Sequence, residues 1–160
     1  MTLGVGDTIP SVTLSQMTAD GPAQISTDEI FKGKKVALFA VPGAFTPTCS
    51  ASHLPGFVRL AESLKEKGVD TIACLSVNDA FVMSAWGKAQ NVGDKIMMLA
   101  DGSAVFTKAA GMELDLTAPG LGLRSRRYSL VAEDGVIKIL KLEEGGAFEV
   151  SSAEDLLKEL

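Results

Sequence analysis

The chain has 160 residues and a formal net charge of −5, and 46% of its residues are hydrophobic against 22% charged. This length and mixture favour one globular domain over residues 1–160, with enough apolar side chains for one sizeable core. The acidic balance argues against an electrostatic grip on nucleic acid, and no apolar run approaches the roughly 20 residues of a membrane helix. We therefore expect neither a nucleic-acid nor a membrane partner.

Five apolar segments rich in β-branched residues predict strands. The first three are too continuously apolar for a solvent-facing sheet, so we expect them to be buried and parallel. They span 35–41, 69–77 and 95–100. The last two, 127–132 and 136–142, flank the pair Asp134-Gly135, which is typical of a tight hairpin turn.

Helices are predicted in three other segments. One covers about 48–67 and ends at Gly68, and a second follows the N-cap residue Asp79 and holds Trp86 in the core. A third, near the C-terminus, begins with a capping box formed by Ser151 and Glu154. This alternation indicates an α/β domain, in which the loops after parallel strands meet at one end of the sheet and form the usual sites.

The loop after the first of these strands carries one of only two cysteines. Thr46 suits an N-cap, Pro47 the first helical position, and Cys49 the third. Unpaired N–H groups and the helix dipole at that position favour a thiolate over a thiol, so Cys49 is a candidate nucleophile. The alternative is a small apolar residue that fills space at a helix start.

The residues available to assist the Cys49 thiol favour some classes of thiol enzyme over others. A cysteine protease needs a histidine base, but the only histidine, His53, is one helical turn along the same helix and is interpreted as a packing residue. Residues 46–49 lack the second cysteine of a thioredoxin-type exchange motif. Reduction of a peroxide fits better, because it needs an activated sulfur, a cation and hydrogen-bond donors.

The same loop resembles the signature of a known family. The segment PGAFTPTC, from Pro42 to Cys49, matches the pattern Pro-x-x-x-Thr-x-x-Cys of peroxiredoxins, and SASHLPGF after it is similar to the type II, peroxiredoxin-5-like subfamily. Further similar segments follow in the family's order: KKVALFAV, CLSVNDAFVMSAWGK, ADGS, GLGLRSRRYSL and SSAEDLL. The resemblance implies a thioredoxin-like α/β fold, with a central mixed β-sheet flanked by helices. It also implies thiol-dependent reduction of hydrogen peroxide and organic hydroperoxides through a Cys49 sulfenic acid.

The resemblance assigns roles to individual residues. Cys49 attacks the peroxide, Thr46 orients it with a hydroxyl, and Pro42 covers the pocket and shields the sulfur. The family's active-site arginine precedes an aromatic residue at the start of a late strand, which matches Arg127 and leaves Arg126 as its nearest competitor. Without the resemblance, the cluster RSRR, from Arg124 to Arg127, would be interpreted as an exposed basic loop.

The second cysteine, Cys74, lies in a predicted buried strand. The favoured interpretation is a small core residue, and the alternative is a resolving cysteine that forms a disulfide with Cys49. If Cys74 is a core residue, the resemblance implies an external reductant, either glutathione with glutaredoxin or thioredoxin. It also suggests a homodimer packed near the active-site loops.

Two further expectations come from the residue count and the N-terminus. With one histidine and two cysteines, we expect no structural metal site, and we expect no cofactor. The segment MTLGVGDTIP lacks the features of a signal peptide, which favours a cytoplasmic location.

The alternative function is a redox-sensing or chaperone-like binding protein in which oxidation of Cys49 switches a partner surface.

Overall fold

A computed structural model describes residues 2–160. The strands are β1 (Thr13–Thr18), β2 (Gly21–Ser26), β3 (Lys35–Val41), β4 (Thr71–Ser76), β5 (Met97–Ala100), β6 (Glu113–Leu116), β7 (Gly122–Ser125), β8 (Tyr128–Glu133) and β9 (Val136–Leu142). The helices are α1 (Thr27–Phe31), a π-helix (Cys49–His53), α2 (Leu54–Arg59), α3 (Ala61–Glu66), α4 (Ala80–Ala89), α5 (Val105–Ala109) and α6 (Ala153–Lys158).

Seven strands form one sheet in the order β2-β1-β5-β4-β3-β8-β9. The three continuously apolar strands, β3, β4 and β5, are parallel and central, as the sequence predicts. β8 and β9 form the predicted hairpin, whose turn residues Asp134 and Gly135 have φ angles of 50° and 79°. This mixed sheet with helices around it confirms the predicted α/β class.

The sheet separates two hydrophobic clusters, because successive side chains of a strand point to opposite faces. Phe39 of β3 belongs to the cluster that also contains residues of α2, α3, α4 and α6. Its neighbour Leu38 belongs to the other cluster, beneath α1 and α5. Both faces of β3 are therefore covered, and every residue from Val36 to Val41 is fully buried.

Two β-hairpins were not predicted. β1 and β2 pair at one edge of the sheet, and β6 and β7 form a separate two-stranded sheet. Their residues are a mixture of polar and apolar types that gives a weak periodic signal, and Pro22 in β2 is tolerated because β2 is an edge strand.

The predicted capping box of the last helix is wrong by one residue. Ser152, not Ser151, caps α6, and its hydroxyl accepts a hydrogen bond from the backbone N–H of Asp155. Ser151 is fully buried, and its hydroxyl donates to the carboxylate of Glu143. None of the helices within residues 2–160 has the length and apolar character needed to span a membrane.

Candidate active site

The loop after β3 is held by a hydrogen bond between two of its own residues, Thr46 and Gly43. The helix starts at Pro47, directly after Thr46, as the sequence predicts. The Thr46 side chain nevertheless makes no cap, because its hydroxyl donates a hydrogen bond of 2.7 Å to the carbonyl of Gly43. A hydroxyl that donates one bond still has lone pairs to accept another, so Thr46 presents an acceptor at this loop.

Cys49 and His53 lie in a π-helix at the start of this helix. The turn is closed by the backbone N–H of Leu54, which donates to the carbonyl of Cys49 five residues earlier. π-helices are rare, and they occur frequently at functional sites. This turn leaves both Cys49 and His53 fully buried.

Strand pairing brings an arginine to the buried thiol. β8 runs antiparallel to β3, with Tyr128 opposite Ala40, so Arg127 lies beside the end of β3 where the loop begins. Its Nη2 donates to the Cys49 Sγ at 3.2 Å. The structure thus joins two of the predicted site residues, which are 78 positions apart in sequence.

The competing Arg126 points elsewhere. Its Nη2 donates to the backbone carbonyl of Glu143 at 2.9 Å and lies 3.7 Å from the carboxylate of Glu144. Arg127 is 4% exposed, and among residues 2–160 no carboxylate forms a salt bridge with it. Its Nε is buried and has no hydrogen-bond acceptor in the same residues. The guanidinium beside Cys49 therefore has no carboxylate partner among these residues and has one unused N–H group.

His53 is a packing residue, as predicted, but it also holds Arg127. Its ring lies between Phe39 and Phe148, with centroid distances of 5.0 Å to each. Nδ1 is 2.9 Å from Nη1 of Arg127, and Nε2 is 2.9 Å from the carbonyl of Ser151. Burial, and then the charge of Arg127, lower the pKa of His53 to about 3. The ring is therefore neutral near pH 7, with Nδ1 accepting from the arginine and Nε2–H donating.

Two residues that the sequence analysis did not single out as site residues brace the loop. Arg124 Nη1 donates to the carbonyl of Pro42 at 3.2 Å, and the amide of Asn78 accepts from the backbone N–H of Ala44 at 3.0 Å. A Cβ at Gly43 would lie 2.6 Å from the same Nη1, so a larger residue there would displace the Arg124 side chain. Arg124 is half-buried against this loop, which corrects the interpretation of its cluster as an exposed basic loop.

Phe45, in the middle of the loop, adopts a strained backbone. Its φ is +64°, a region that bulky residues rarely occupy, and its side chain is 55% exposed. Its ring centroid lies 6.5 Å from that of Trp86. Trp86 is fully buried, as predicted, and its indole N–H donates to the hydroxyl of Ser50, next to Cys49.

Cys74 lies in the middle of β4, where it is fully buried. Its strand neighbours are Phe39 in β3 and Met98 in β5. Burial raises the pKa of Cys74 well above its ordinary value, the charge of Cys49 raises it further, and Arg127 partly offsets both. Both cysteines are free thiols and belong to the same hydrophobic cluster, but they have different polar surroundings.

The sequence of this chain is similar to one protein family over nearly its whole length and to several plant proteins. The family model described as Redoxin matches residues 4–157. A rice protein named peroxiredoxin-2E-2, chloroplastic, is 56% identical over 164 residues, which cover 99% of this chain and 73% of the relative. An Arabidopsis thaliana protein named peroxiredoxin-2D is 52% identical, with 98% of this chain and 97% of the relative covered.

Solved structures of peroxiredoxins superimpose on this chain. Reduced Prx3 from Vibrio vulnificus, crystallised in complex with H2O2, superimposes with a TM-score of 0.95 at 56% identity, and the match covers 99% of each chain. Peroxiredoxin 5 from Alvinella pompejana superimposes with a TM-score of 0.86 at 37% identity, over 98% of this chain and 96% of that one.

Proposed function

Because this chain belongs to the redoxin family and is a thiol-dependent peroxidase of the peroxiredoxin type, we propose that Cys49 attacks the hydroperoxide and that Arg127 stabilises the reacting charges. The observation that carries this proposal is the 3.2 Å contact between Arg127 Nη2 and the Cys49 Sγ. A buried guanidinium without a carboxylate partner is costly, and an adjacent thiolate offsets that cost. The thiolate is also the nucleophilic form of cysteine.

The reaction is a two-electron transfer from sulfur to the peroxide. The Cys49 thiolate attacks the terminal hydroxyl oxygen of R–O–OH; an S–O bond forms, and the O–O bond breaks. The electron pair of the O–O bond leaves on the other oxygen, which becomes an alcohol or water after taking a proton from solvent. The products are Cys49 sulfenic acid and ROH, so the sulfur is oxidised and the peroxide is reduced.

The remaining site residues orient the substrate. The unused Nε–H of Arg127 donates to the peroxide and stabilises the negative charge on the leaving oxygen. The Thr46 hydroxyl, which donates to Gly43, accepts from the O–H of the peroxide. Pro42 covers the pocket, and its carbonyl is held by Arg124. We expect hydrogen peroxide and small organic hydroperoxides as substrates, because the burial of Cys49 and Arg127 favours small molecules.

An external thiol returns Cys49 to its starting state. Glutathione condenses with the sulfenic acid to a mixed disulfide and water, and glutaredoxin then reduces that disulfide; thioredoxin is the alternative reductant. Cys49 is fully buried, so the π-helix unwinds before either reductant reaches the sulfur. The raised pKa of Cys74 keeps it a thiol near pH 7, which supports a core residue over a resolving one. Glutathione and these reductants fit the cytoplasmic location expected from the sequence.

The chain forms a homodimer through the face beside this loop. Phe45 and Phe81 are 55% and 65% exposed, which is unusual for large aromatic side chains. Phe81 lies two residues after Asp79, the N-cap of α4, and Asn78 before it bonds the loop that carries Phe45. Sedimentation should give the mass of two chains, and Phe45→Ser with Phe81→Ser should reduce it to one.

A turnover assay tests the function and its alternative together. Peroxide is supplied with glutathione and glutaredoxin or with thioredoxin, each coupled to its NADPH-dependent reductase, and NADPH consumption is followed. A peroxidase consumes many equivalents per chain, whereas a redox sensor or chaperone-like protein is oxidised once and stops. The reductant that supports the higher kcat/KM identifies the physiological type.

A further inference from the structure

A buried carboxylate holds the loop on the far side of Arg127. Glu143 is 2% exposed, and one of its oxygens accepts from the backbone N–H groups of Glu149, Val150 and Ser151, at 2.8 to 2.9 Å. The Ser151 hydroxyl donates to the same oxygen at 2.7 Å. Burial raises the pKa of Glu143, but the hydrogen bonds from the Ser151 side chain and from the backbone N–H groups of the loop outweigh it and lower the pKa overall.

The loop held by Glu143 leads directly to the arginine. The carbonyl of Ser151 accepts from Nε2 of His53, and Nδ1 of His53 accepts from Nη1 of Arg127. Because an arginine can only donate, the first bond determines which histidine nitrogen carries the proton, and the second depends on it. Phe148 of the same loop packs on both partners, 5.0 Å from the His53 ring centroid and 5.6 Å from the Arg127 Cζ.

We propose that Glu143, Ser151 and His53 form a positioning network that aims the Arg127 guanidinium at Cys49. This inference rests on the proposed function, in which Arg127 stabilises the reacting charges. A carboxylate in direct contact with Arg127 would compete with the thiolate for its charge. The network avoids that competition, because the Glu143 carboxylate accepts from four donors of the loop, and the member of the network that bonds the guanidinium is the neutral imidazole of His53.

The orientation of Arg127 relative to Cys49 can be tested through the second-order rate constant for oxidation of Cys49 by hydrogen peroxide. The only tryptophan, Trp86, bonds Ser50 beside Cys49, so its fluorescence follows the reaction in a stopped-flow instrument. His53→Ala should slow oxidation about 10- to 100-fold, because a small displacement of a group in contact with the reacting atoms is amplified in the rate. Glu143→Gln should slow it about 3- to 10-fold, since the loop loses its charged acceptor.

A matched control separates positioning from general loss of structure. Asp101 is 1% exposed and likewise accepts several hydrogen bonds, here from the first turn of α5: the backbone N–H groups of Phe106 and Thr107 and the Thr107 hydroxyl. Asp101→Asn removes the same charge from a comparable environment without a bond to Arg127 or Cys49. We expect its oxidation rate to equal that of the unaltered chain, and a loss as large as that of Glu143→Gln would overturn the proposal.

Double variants test whether Glu143 acts through Arg127. In an Arg127→Ala background, Glu143→Gln should cause no further loss, and an equal further loss would overturn the positioning network. His53→Gln, which retains one donor and one acceptor, should recover part of the rate lost in His53→Ala; no recovery counts against the network. If Arg127→Ala alone leaves the rate unchanged, the proposed role of Arg127 fails instead, and the two failures are thereby distinguished.

Discussion

The two cysteines of this chain are equally buried but have different polar neighbours. Cys49 and Cys74 are both fully excluded from solvent and share one hydrophobic cluster. Cys49 lies in a π-helix and receives a hydrogen bond from Arg127, whereas Cys74 lies in a strand whose two neighbours fix its backbone. Burial alone keeps a thiol protonated, as the raised pKa of Cys74 indicates. The proposed reactivity of Cys49 therefore depends on the cation that contacts it, and Cys74 has no hydrogen bond to this cation.

The largest expected effect is the loss of the reactive sulfur. Cys49→Ser should abolish peroxide turnover, because a serine hydroxyl is a poor nucleophile near pH 7 without a base. The fold should persist, as measured by circular dichroism and thermal unfolding. Cys74→Ser serves as the matched control, and turnover that survives in Cys49→Ser would transfer the chemistry to Cys74 and reverse the comparison.

The next effect comes from the cation that distinguishes the two sites. Arg127→Ala should lower the rate of peroxide attack about 10²- to 10³-fold, the typical loss when one stabilising donor is removed from a reaction site. The rate is measured in a single turnover, before any reductant acts. Arg127→Lys keeps a positive charge but loses the planar guanidinium with its several N–H donors. Its rate should therefore lie between that of the unaltered chain and that of Arg127→Ala. Equal rates in all three would remove Arg127 from the mechanism.

The parts of the fold that could be predicted from the sequence are those with a strong local pattern. The central strands were predicted because buried parallel strands are continuously apolar, and the edge hairpin of β1 and β2 was missed because edge strands need no such pattern. The thioredoxin-like fold, the peroxiredoxin family and the peroxidase function are confirmed by relatives and solved structures. The roles of Pro42, Thr46, Cys49 and Arg127 stay predictions.

The surroundings of Arg127 could not be predicted from local patterns. His53 was interpreted from its own helix, but its partners come from residues 127 and 151, which only the folded sheet brings together. Glu143 belongs to the acidic stretch KLEEGG, which resembles a solvated turn and gives no sign of burial. Asn78 had a usable signal, since it is a polar residue just after a central parallel strand.

A smaller effect on the Cys49 side is expected from Arg124. The sequence predicted no role for this residue, but its bond to the Pro42 carbonyl holds the loop that covers the thiol. Arg124→Ala should therefore slow peroxide attack about 3- to 10-fold by loosening that loop. Arg59→Ala, which breaks only an exposed ion pair with Glu154, is the control and should leave the rate unchanged. Equal rates for Arg124→Ala and the control would restore the prediction from sequence.

The Cys49 side also contains a titratable group whose effect is on stability. The pKa of His53 is lowered from 6.5 to about 3 in the folded protein, so between these values the unfolded chain binds a proton that the folded chain does not. The free energy of unfolding should therefore fall as the pH decreases below 6.5, by up to about 1.4 kcal/mol per pH unit. Urea unfolding of the unaltered chain and of His53→Gln between about pH 5 and 7 should show this slope only in the former. The same slope in both would assign it to other groups.

The smallest effect on turnover is expected from Cys74. Cys74→Ser places a hydroxyl among apolar side chains and should lower the free energy of unfolding by about 1–3 kcal/mol. Turnover with glutathione and glutaredoxin should be unchanged, because Cys74 touches neither the peroxide nor the external thiol. A large loss of turnover would show that Cys74 takes part in the reaction.

Intact mass after one equivalent of peroxide separates the two roles of Cys74 directly. A disulfide needs Cα atoms within about 7 Å and a mobile partner, but β4 is hydrogen-bonded on both sides and the Cys49 sulfur is held by Arg127. We therefore expect one added oxygen, or a glutathione adduct when glutathione is present, in both the unaltered chain and Cys74→Ser. A loss of two hydrogens in the unaltered chain, with the oxygen retained only in the variant, would make Cys74 the resolving cysteine. In that case unwinding of the π-helix, rather than the arginine alone, would determine which buried thiol reacts.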